Sequence, residues 1–430
     1  MSTTAHHFAP RVFHPSPRRR WAYVLAPALL AVLVGCGGGG AGSTADATAQ
    51  ASAEQAAAQV QQQSLVALGQ QLFNDPNLST PPGTACVACH QPASGFSSLH
   101  GAHGGVAQGS LPTSLGLRSP SQAAYSAAIP RFGFITDPQG VQIPAGGQFW
   151  DGRADTLAAQ ALLPLLNPLE MANPDQASVV SKVAAAPYAR QFSAVFGAAA
   201  LANPSQAFQQ IGLAIQAFEQ SASFQAFSSK YDAVIQGKAV FTPAEQNGLA
   251  LFQNPANGCA ACHRMNPASR NPQDSPFTNH LYFVEGVPRN AQIPRNADAS
   301  FYDLGLCGPE RTPPSAPVGV RISDYCGAFQ VPSLRNAALR PALMHNGVFT
   351  SLAQVVDFYS TRNSDPQRWY GPAGIPNDLP AQYQANLETR KPPFNRRAAA
   401  GPLLTPAQAS DLVAFLRTLS DGYSAAPTSP

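Results

Sequence analysis

Charge is scarce in this sequence. Asp, Glu, Lys and Arg make up 11% of its 430 residues, and the formal net charge is only +3. Three of the basic residues, Arg18, Arg19 and Arg20, stand together near the N-terminus, and no basic face interleaved with aromatics follows them. That excludes the electrostatic footprint of nucleic-acid binding. Long hydrophobic runs are lacking as well: the apolar stretch from Trp21 to Val34 is too short for a transmembrane helix. Strand signals are sparse, which argues against βαβ units. What the chain has in quantity is proline (41 residues), glycine (34) and hydrophobic side chains (44%). This is the composition of a soluble, loop-rich protein long enough for two domains with their own cores.

The basic cluster opens a targeting segment, RRRWAYVLAPALLAVLVGC, with a charged n-region and an apolar core. It ends in Leu33-Val34-Gly35-Cys36, which resembles the bacterial lipobox, where cleavage leaves an N-terminal cysteine carrying lipid. The alternative is an ordinary signal peptide with an incidental cysteine. Several acyl chains on Cys36 would provide the stable anchoring that one chain cannot. Residues 1–36 are therefore expected to be a lipoprotein signal peptide, and the low-complexity stretch 37–60 a flexible linker. The mature protein is expected in the periplasm, anchored to the outer membrane, with no other membrane contact. Its cysteines then meet an oxidising compartment.

Seven cysteines sort cleanly. Beyond Cys36, Cys86 and Cys89 with His90 form CVACH, and Cys259 and Cys262 with His263 form CAACH. C-x-x-C-H is the attachment signature of c-type haem: two thiols add across the haem vinyl groups and the adjacent histidine reaches the iron. At this chain's own cysteine and histidine frequencies, chance predicts roughly 0.002 such matches. Structural zinc would want paired Cys₄ or Cys₂His₂ spacing, and a redox dithiol would want a βαβ context. Neither is present, so two covalently bound haem c groups are expected. Cys307 and Cys326 remain, in a proline-rich loop, and an exported protein makes a disulfide of them rather than two free thiols. In the chain-entropy model such a loop closure contributes roughly 3 kcal/mol.

Each haem motif follows a similar helix end. GQQLFNDP (69–76) and GLALFQNP (248–255) share G-x-x-L-F-x-x-P. Thr242, Pro243 and Glu245 read as N-cap, first helical residue and capping-box partner, and Thr405-Pro406 opens the last helix in the same way. Helical apolar spacing also marks RADTLAAQALLPLLNP and the stretch from Pro204 to Ile235. The fold is expected to be mostly α, with long loops and two cytochrome c-like haem domains related by duplication. Those domains are placed at 61–235 and 236–425.

Two further stretches, FWDGRADTLAAQALLPLLNPLEM (149–171) and VPSLRNAALRPALMHNGVFTSLAQVVDFY (331–359), resemble the di-haem bacterial cytochrome c peroxidase and MauG-type superfamily. The resemblance spans roughly residues 64–420. It implies that Trp150 lies between the haems as an electron route, beyond its ordinary reading as a core tryptophan. Gln160 and Pro164 match residues lining the peroxide-binding pocket, and Glu170 matches the distal glutamate. Heterolysis of peroxide needs a base for one oxygen and an acid for the other, and burial near an apolar haem face should raise a carboxyl pKa toward that task. The plain alternative for Glu170 is a solvated carboxylate after a helix. The N-terminal haem is expected to have an open or openable sixth position.

The sequence also departs from the family pattern. A histidine after the first haem motif ligates that haem in ordinary members; LHGAHGG offers His100 and His103, and neither sits in a matching context. The family holds one calcium ion between its domains through an asparagine side chain and backbone carbonyls, and Ser119 stands where that asparagine is expected. The sixth ligand of the C-terminal haem is ordinarily a methionine fourteen residues after the histidine of H-[DN]-G. Here the motif is His345-Asn346-Gly347, and the position holds Tyr359. The chain has four methionines, Met1, Met171, Met265 and Met344, and none is there. Met265 lies too near His263 in sequence, and Met344 would need its turn to move. MauG-type enzymes carry tyrosine at this place, so the resemblance implies His263/Tyr359 ligation; a packed helix tyrosine beside a five-coordinate haem is the alternative. Together these imply an enzyme reducing hydrogen peroxide, with high-valent iron shared over both haems. Its electrons would come from a small redox protein, a cytochrome c or cupredoxin, or from a Trp or Tyr of a partner protein being matured. The rival is a non-catalytic di-haem electron carrier.

Overall fold

The computed structural model describes residues 44–98 and 104–424. Cys36, His100 and His103 lie outside the described residues. The described residues from Gln55 onward form one compact unit, and those up to Glu54 belong to a separate one. Among the described residues, no helix is long and apolar enough to cross a membrane.

The fold is mostly helical with little sheet. Its first helix, Thr44–Asn74, runs through much of the stretch 37–60 read as a flexible linker. No glycine or proline interrupts residues 44–68, and the alanines and glutamines there are strong helix formers. Residues 50–63 of it are exposed, so propensity rather than packing accounts for that part.

Two large hydrophobic clusters divide the structure along the sequence. One gathers Leu68, Leu72, Phe73, Ile211, Phe218 and Phe224; the other gathers Tyr231, Phe252, Phe277, Phe358, Phe415 and Leu419. The same crossing recurs in each. A Cβ on Gly69 would stand 1.9 Å from the Ala214 carbonyl oxygen, and one on Gly248 would stand 2.0 Å from that of Asp411. Glycine is what lets the helix preceding each haem motif approach Pro204–Glu219 in one case and Pro406–Arg417 in the other. The phenylalanine four positions on then meets an aromatic of that partner edge-on or tilted: Phe73 with Phe218 at 5.5 Å, Phe252 with Phe415 at 5.2 Å.

Helix starts follow the sequence closely. Thr242 caps Pro243–Gln253 in a capping box with Glu245, and Thr405 does the same for Pro406–Arg417 with Gln408. Asn203, Thr156 and Ser351 each accept a backbone N–H at the start of their own helices. Among the described residues the sheet consists of two antiparallel ribbons: Gly133–Thr136 with Gln142–Ala145, and Tyr282–Phe283 with Phe329–Gln330. The second matters for function, because the Gln330 N–H donates to the Trp150 carbonyl at 2.8 Å. A disulfide joins Cys307 to Cys326, and the four motif cysteines form none.

Candidate active site

Both C-x-x-C-H motifs fold into the same device. Cys86–Cys89 and Cys259–Cys262 are single helical turns, closed by His90 N–H to Cys86 O and His263 N–H to Cys259 O, each at 2.9 Å. The histidine side chains are fixed alike. His90 Nδ1 lies 3.0 Å from the Phe96 carbonyl oxygen and His263 Nδ1 lies 3.1 Å from that of Phe277. A carbonyl at Nδ1 makes that nitrogen the N–H donor and leaves Nε2 as the free lone pair, the arrangement that orients a metal-ligating imidazole. Burial favours the neutral ring in both, pushing His263 down to about 4.

The cavities fit haem by their donors. A space of about 1100 Å³, counting its mouth, is lined by Cys86, Cys89 and His90. Two further cavities share His263 and Tyr359, one of them also lined by Cys259 and Cys262. Buried polar atoms without partners gather around these spaces: His345 Nε2 and Arg340 Nε on one of the His263 cavities, and Gln122 Nε2 on an adjoining cavity that His90 also lines. Nitrogen atoms left unsatisfied around apolar slots suit a flat apolar group carrying carboxylates.

On the first cavity the expected catalytic residues come together. Glu170, Gln160, Pro164 and Trp150 all line it along with His90. Gln160 and Pro164 lie one turn apart on the helix Leu157–Leu166, capped by Thr156. Glu170 is half-buried on this wall, and burial raises its pKa to about 7, opposed by Arg153 and reinforced by Glu310. Trp150 is buried and lines this cavity and one of those holding His263, so a single indole spans the wall between the two sites. Its Nε1–H donates to the Ser119 carbonyl at 2.8 Å.

Around Glu170 stands a charge network that sequence reading did not single out. Arg153 stacks on Phe149 at 3.6 Å and pairs with Asp151 at 3.2 Å and Glu310 at 3.4 Å. Arg118 joins Asp151 to Asp303. Asp151 and Arg153 belong to the quoted F-W-D-G-R motif, whereas Glu310 arrives on the disulfide-closed loop. Glu219 was also missed. Its carboxyl is raised to about 8 by burial alone, with Oε2 unpartnered. The signal was available, since Ile211, Ile215 and Glu219 recur at four-residue intervals on one buried helix face.

At the second site Tyr359 faces the cavities of His263, on the helix Leu352–Thr361 capped by Ser351. Its hydroxyl donates to Glu285 Oε1 at 2.8 Å. Met344, whose turn was expected to hold it away, lines one of the same cavities. Its backbone takes a φ of 69° beside the buried His345. Ser119, at the calcium-asparagine position, lies with its hydroxyl 3.4 Å from Arg340 Nη2, so a side-chain cation already stands there. No group of three or more His, Cys, Asp or Glu able to hold a metal ion occurs among the described residues.

Comparison with known proteins agrees with this geometry. Residues 63–240 match the family model described as di-haem cytochrome c peroxidase. The chain is 36% identical over 371 residues to the methylamine utilization protein MauG of Paracoccus denitrificans, covering 85% of this chain and 90% of the relative. It is 28% identical to the cytochrome-c peroxidase IdrP1 of a Pseudomonas species, over 70% of this chain and 72% of that one. Among solved structures, the diheme peroxidase BthA from Burkholderia thailandensis superposes with a TM-score of 0.76 at 38% identity, covering 83% of this chain and 86% of that one.

Proposed function

We propose, since this chain belongs to the MauG-type di-haem cytochrome c peroxidase family, that it is an exported di-haem c enzyme reducing hydrogen peroxide to water at its N-terminal site. The observation that carries the reading is Glu170, a carboxyl raised by burial to about 7 on the cavity that His90 faces. A group titrating near neutrality can take a proton from one peroxide oxygen and return it to the other. Bound haem supplies the redox-active iron at which the O–O bond breaks and on which oxidising equivalents are held.

The rest of the chain serves that event. His90 and His263 present Nε2 as ligands, and Cys86, Cys89, Cys259 and Cys262 fix the two haems by thioether bonds. Gln160 and Pro164 shape the wall beside Glu170. Trp150 connects the sites, so the two electrons needed to turn peroxide and two protons into two waters enter away from the peroxide. The repeated glycine crossing and the repeated histidine clamp support an origin of the two haem domains by duplication. Cys36 places the enzyme on the periplasmic face of the outer membrane.

A second reading is favoured by Tyr359 and by the MauG relative: the electrons come from a Trp or Tyr of a partner protein rather than from a small cytochrome c or cupredoxin. Both readings require reaction with peroxide, and a plain electron carrier does not. Anaerobic peroxide titration of the haem-loaded protein, followed by optical and EPR spectroscopy, is the test. Stoichiometric oxidation with loss of the ferric signals is expected. Two low-spin haems indifferent to peroxide would sink the proposal.

A further inference from the structure

Arg340 is a buried cation without an anion. Its side chain is 7% exposed, Nε has no partner, and its hydrogen bonds go to neutral oxygens: the Pro120 carbonyl at 3.2 Å and the Ser119 hydroxyl at 3.4 Å. Among the described residues no ion pair joins Arg340 to a carboxylate: Asp151 and Asp303 pair with Arg118, Asp232 pairs with Arg335, and Glu219, on the same cavity, has Oε2 unpartnered. Burial, with no carboxylate to offset it, lowers the guanidinium to about 10. A charge removed from water and left unpaired is strongly unfavourable, so buried guanidinium groups keep a counter-ion.

The position of Arg340 says which counter-ion. At the first site the cysteines and His90 line one cavity, while Arg340 lines the neighbouring cavity, again with His90. At the second site Cys259, Cys262 and His263 line one cavity, and Arg340 lines the adjoining one, again with His263. In both cases Arg340 lies past the histidine, away from the cysteines. Thioether bonds form at the vinyl edge of a haem, and its two carboxylates hang from the opposite edge. Arg340 therefore stands on the propionate side of both sites, with its guanidinium 5.7 Å from the ring of Trp150.

We propose that Arg340 is the counter-ion of a haem propionate in the gap between the two haem sites, holding that carboxylate beside Trp150. Guanidinium suits the task, because its planar donors match a carboxylate and it is more weakly hydrated than an ammonium. Gln122, its amide unpartnered at both ends on the cavity shared with His90, is placed to donate to the same anion. The proposal rests on the di-haem reading and not on peroxide chemistry.

The test uses haem-loaded Arg340→Gln and Arg340→Lys, with two haems per chain first verified by pyridine haemochrome assay. Spectroelectrochemical titration should show a lower midpoint potential for at least one haem in Arg340→Gln. The lost cation no longer offsets the propionate charge, so added electron density is less favourable. Arg340→Lys should lie nearer wild type. If both potentials of Arg340→Gln match wild type, the inference is overturned while the di-haem reading stands. Should Arg340→Gln not take up haem, resonance Raman of wild type and Arg340→Lys decides. A shifted propionate bending band supports the contact, and identical bands overturn it.

Discussion

The Tyr359 hydroxyl donates to Glu285 Oε1 at 2.8 Å, and both side chains face the cavities of His263. Tyr359 also stacks on Phe394 at 5.3 Å, so its ring is held from two directions. Burial raises the pKa of both groups. A phenol that becomes an iron ligand must release its proton, and Glu285 is the acceptor in contact. Tyr359→Phe is therefore expected to remove the low-spin EPR signal of the C-terminal haem. Glu285→Gln, which cannot take the proton, should weaken that signal, and Met344→Leu should leave it alone. A thioether-to-iron charge-transfer band in the wild-type protein would instead assign the position to Met344.

Glu170→Gln preserves shape and removes the titrating group. Peroxide turnover is expected to fall by about 10²–10⁴-fold, the usual contribution of a positioned acid–base group, with haem content unchanged. The pH dependence follows from the direction of the shift. The basic form of Glu170 starts the reaction, so kcat should rise with pH through about 7. Arg153 stabilises the carboxylate and Glu310 opposes it. The profile should move to higher pH in Arg153→Met and to lower pH in Glu310→Gln, as read in steady-state assays across pH 5 to 9. Displacements in the opposite directions would remove the network from this role.

Much of this arrangement is legible in the sequence, because local chemistry dictates it. C-x-x-C-H forces a single turn, Thr-Pro-x-Glu forces a helix start, and an invasive helix crossing requires glycine at 69 and 248. Trp150, Gln160, Pro164 and Glu170 fall on one cavity as the family pattern implies. What could not be read are the pairings made through space. Glu310 meets Arg153 across 157 residues, Glu285 meets Tyr359 across 74, and Arg340 meets Ser119 across 221. No periodicity marks those partners. The stretch 37–60 differs for another reason: low complexity reads as a flexible linker, whereas an Ala/Gln-rich run without glycine or proline favours the helix seen from Thr44.

Gly248→Ala tests the repeated crossing. The new Cβ would lie 2.0 Å from the Asp411 carbonyl oxygen and 2.7 Å from the Phe415 Cβ, so two helices must separate. Overpacking of this kind costs roughly 1–3 kcal/mol. Chemical denaturation should show a loss in that range for Gly248→Ala, and likewise for Gly69→Ala. Gly133→Ala, where a Cβ meets nothing within 4 Å, should stay close to wild type.

The anchoring proposal is tested in cells. Cys36→Ser is expected to release the protein from the membrane fraction, and globomycin should block processing of the wild-type precursor. Unchanged fractionation of the variant would leave Cys36 as an incidental residue after an ordinary signal peptide.

Trp150→Phe separates connection from catalysis. Phenylalanine keeps an aromatic ring in the wall between the sites but loses the Nε1–H bond to Ser119 O and the easily oxidised indole. The groups that handle peroxide protons, Glu170 with Arg153 and Glu310 behind it, are untouched, so the first oxidation at the N-terminal haem should proceed at nearly the wild-type rate. Spread of oxidation to the C-terminal haem should then lag behind it, where in wild type the two are expected to change together. Stopped-flow absorbance after mixing with one equivalent of peroxide, paired with freeze-quench EPR, resolves the two events. Synchronous changes at both haems in Trp150→Phe would mean that the electron path bypasses the indole and that Trp150 serves packing alone.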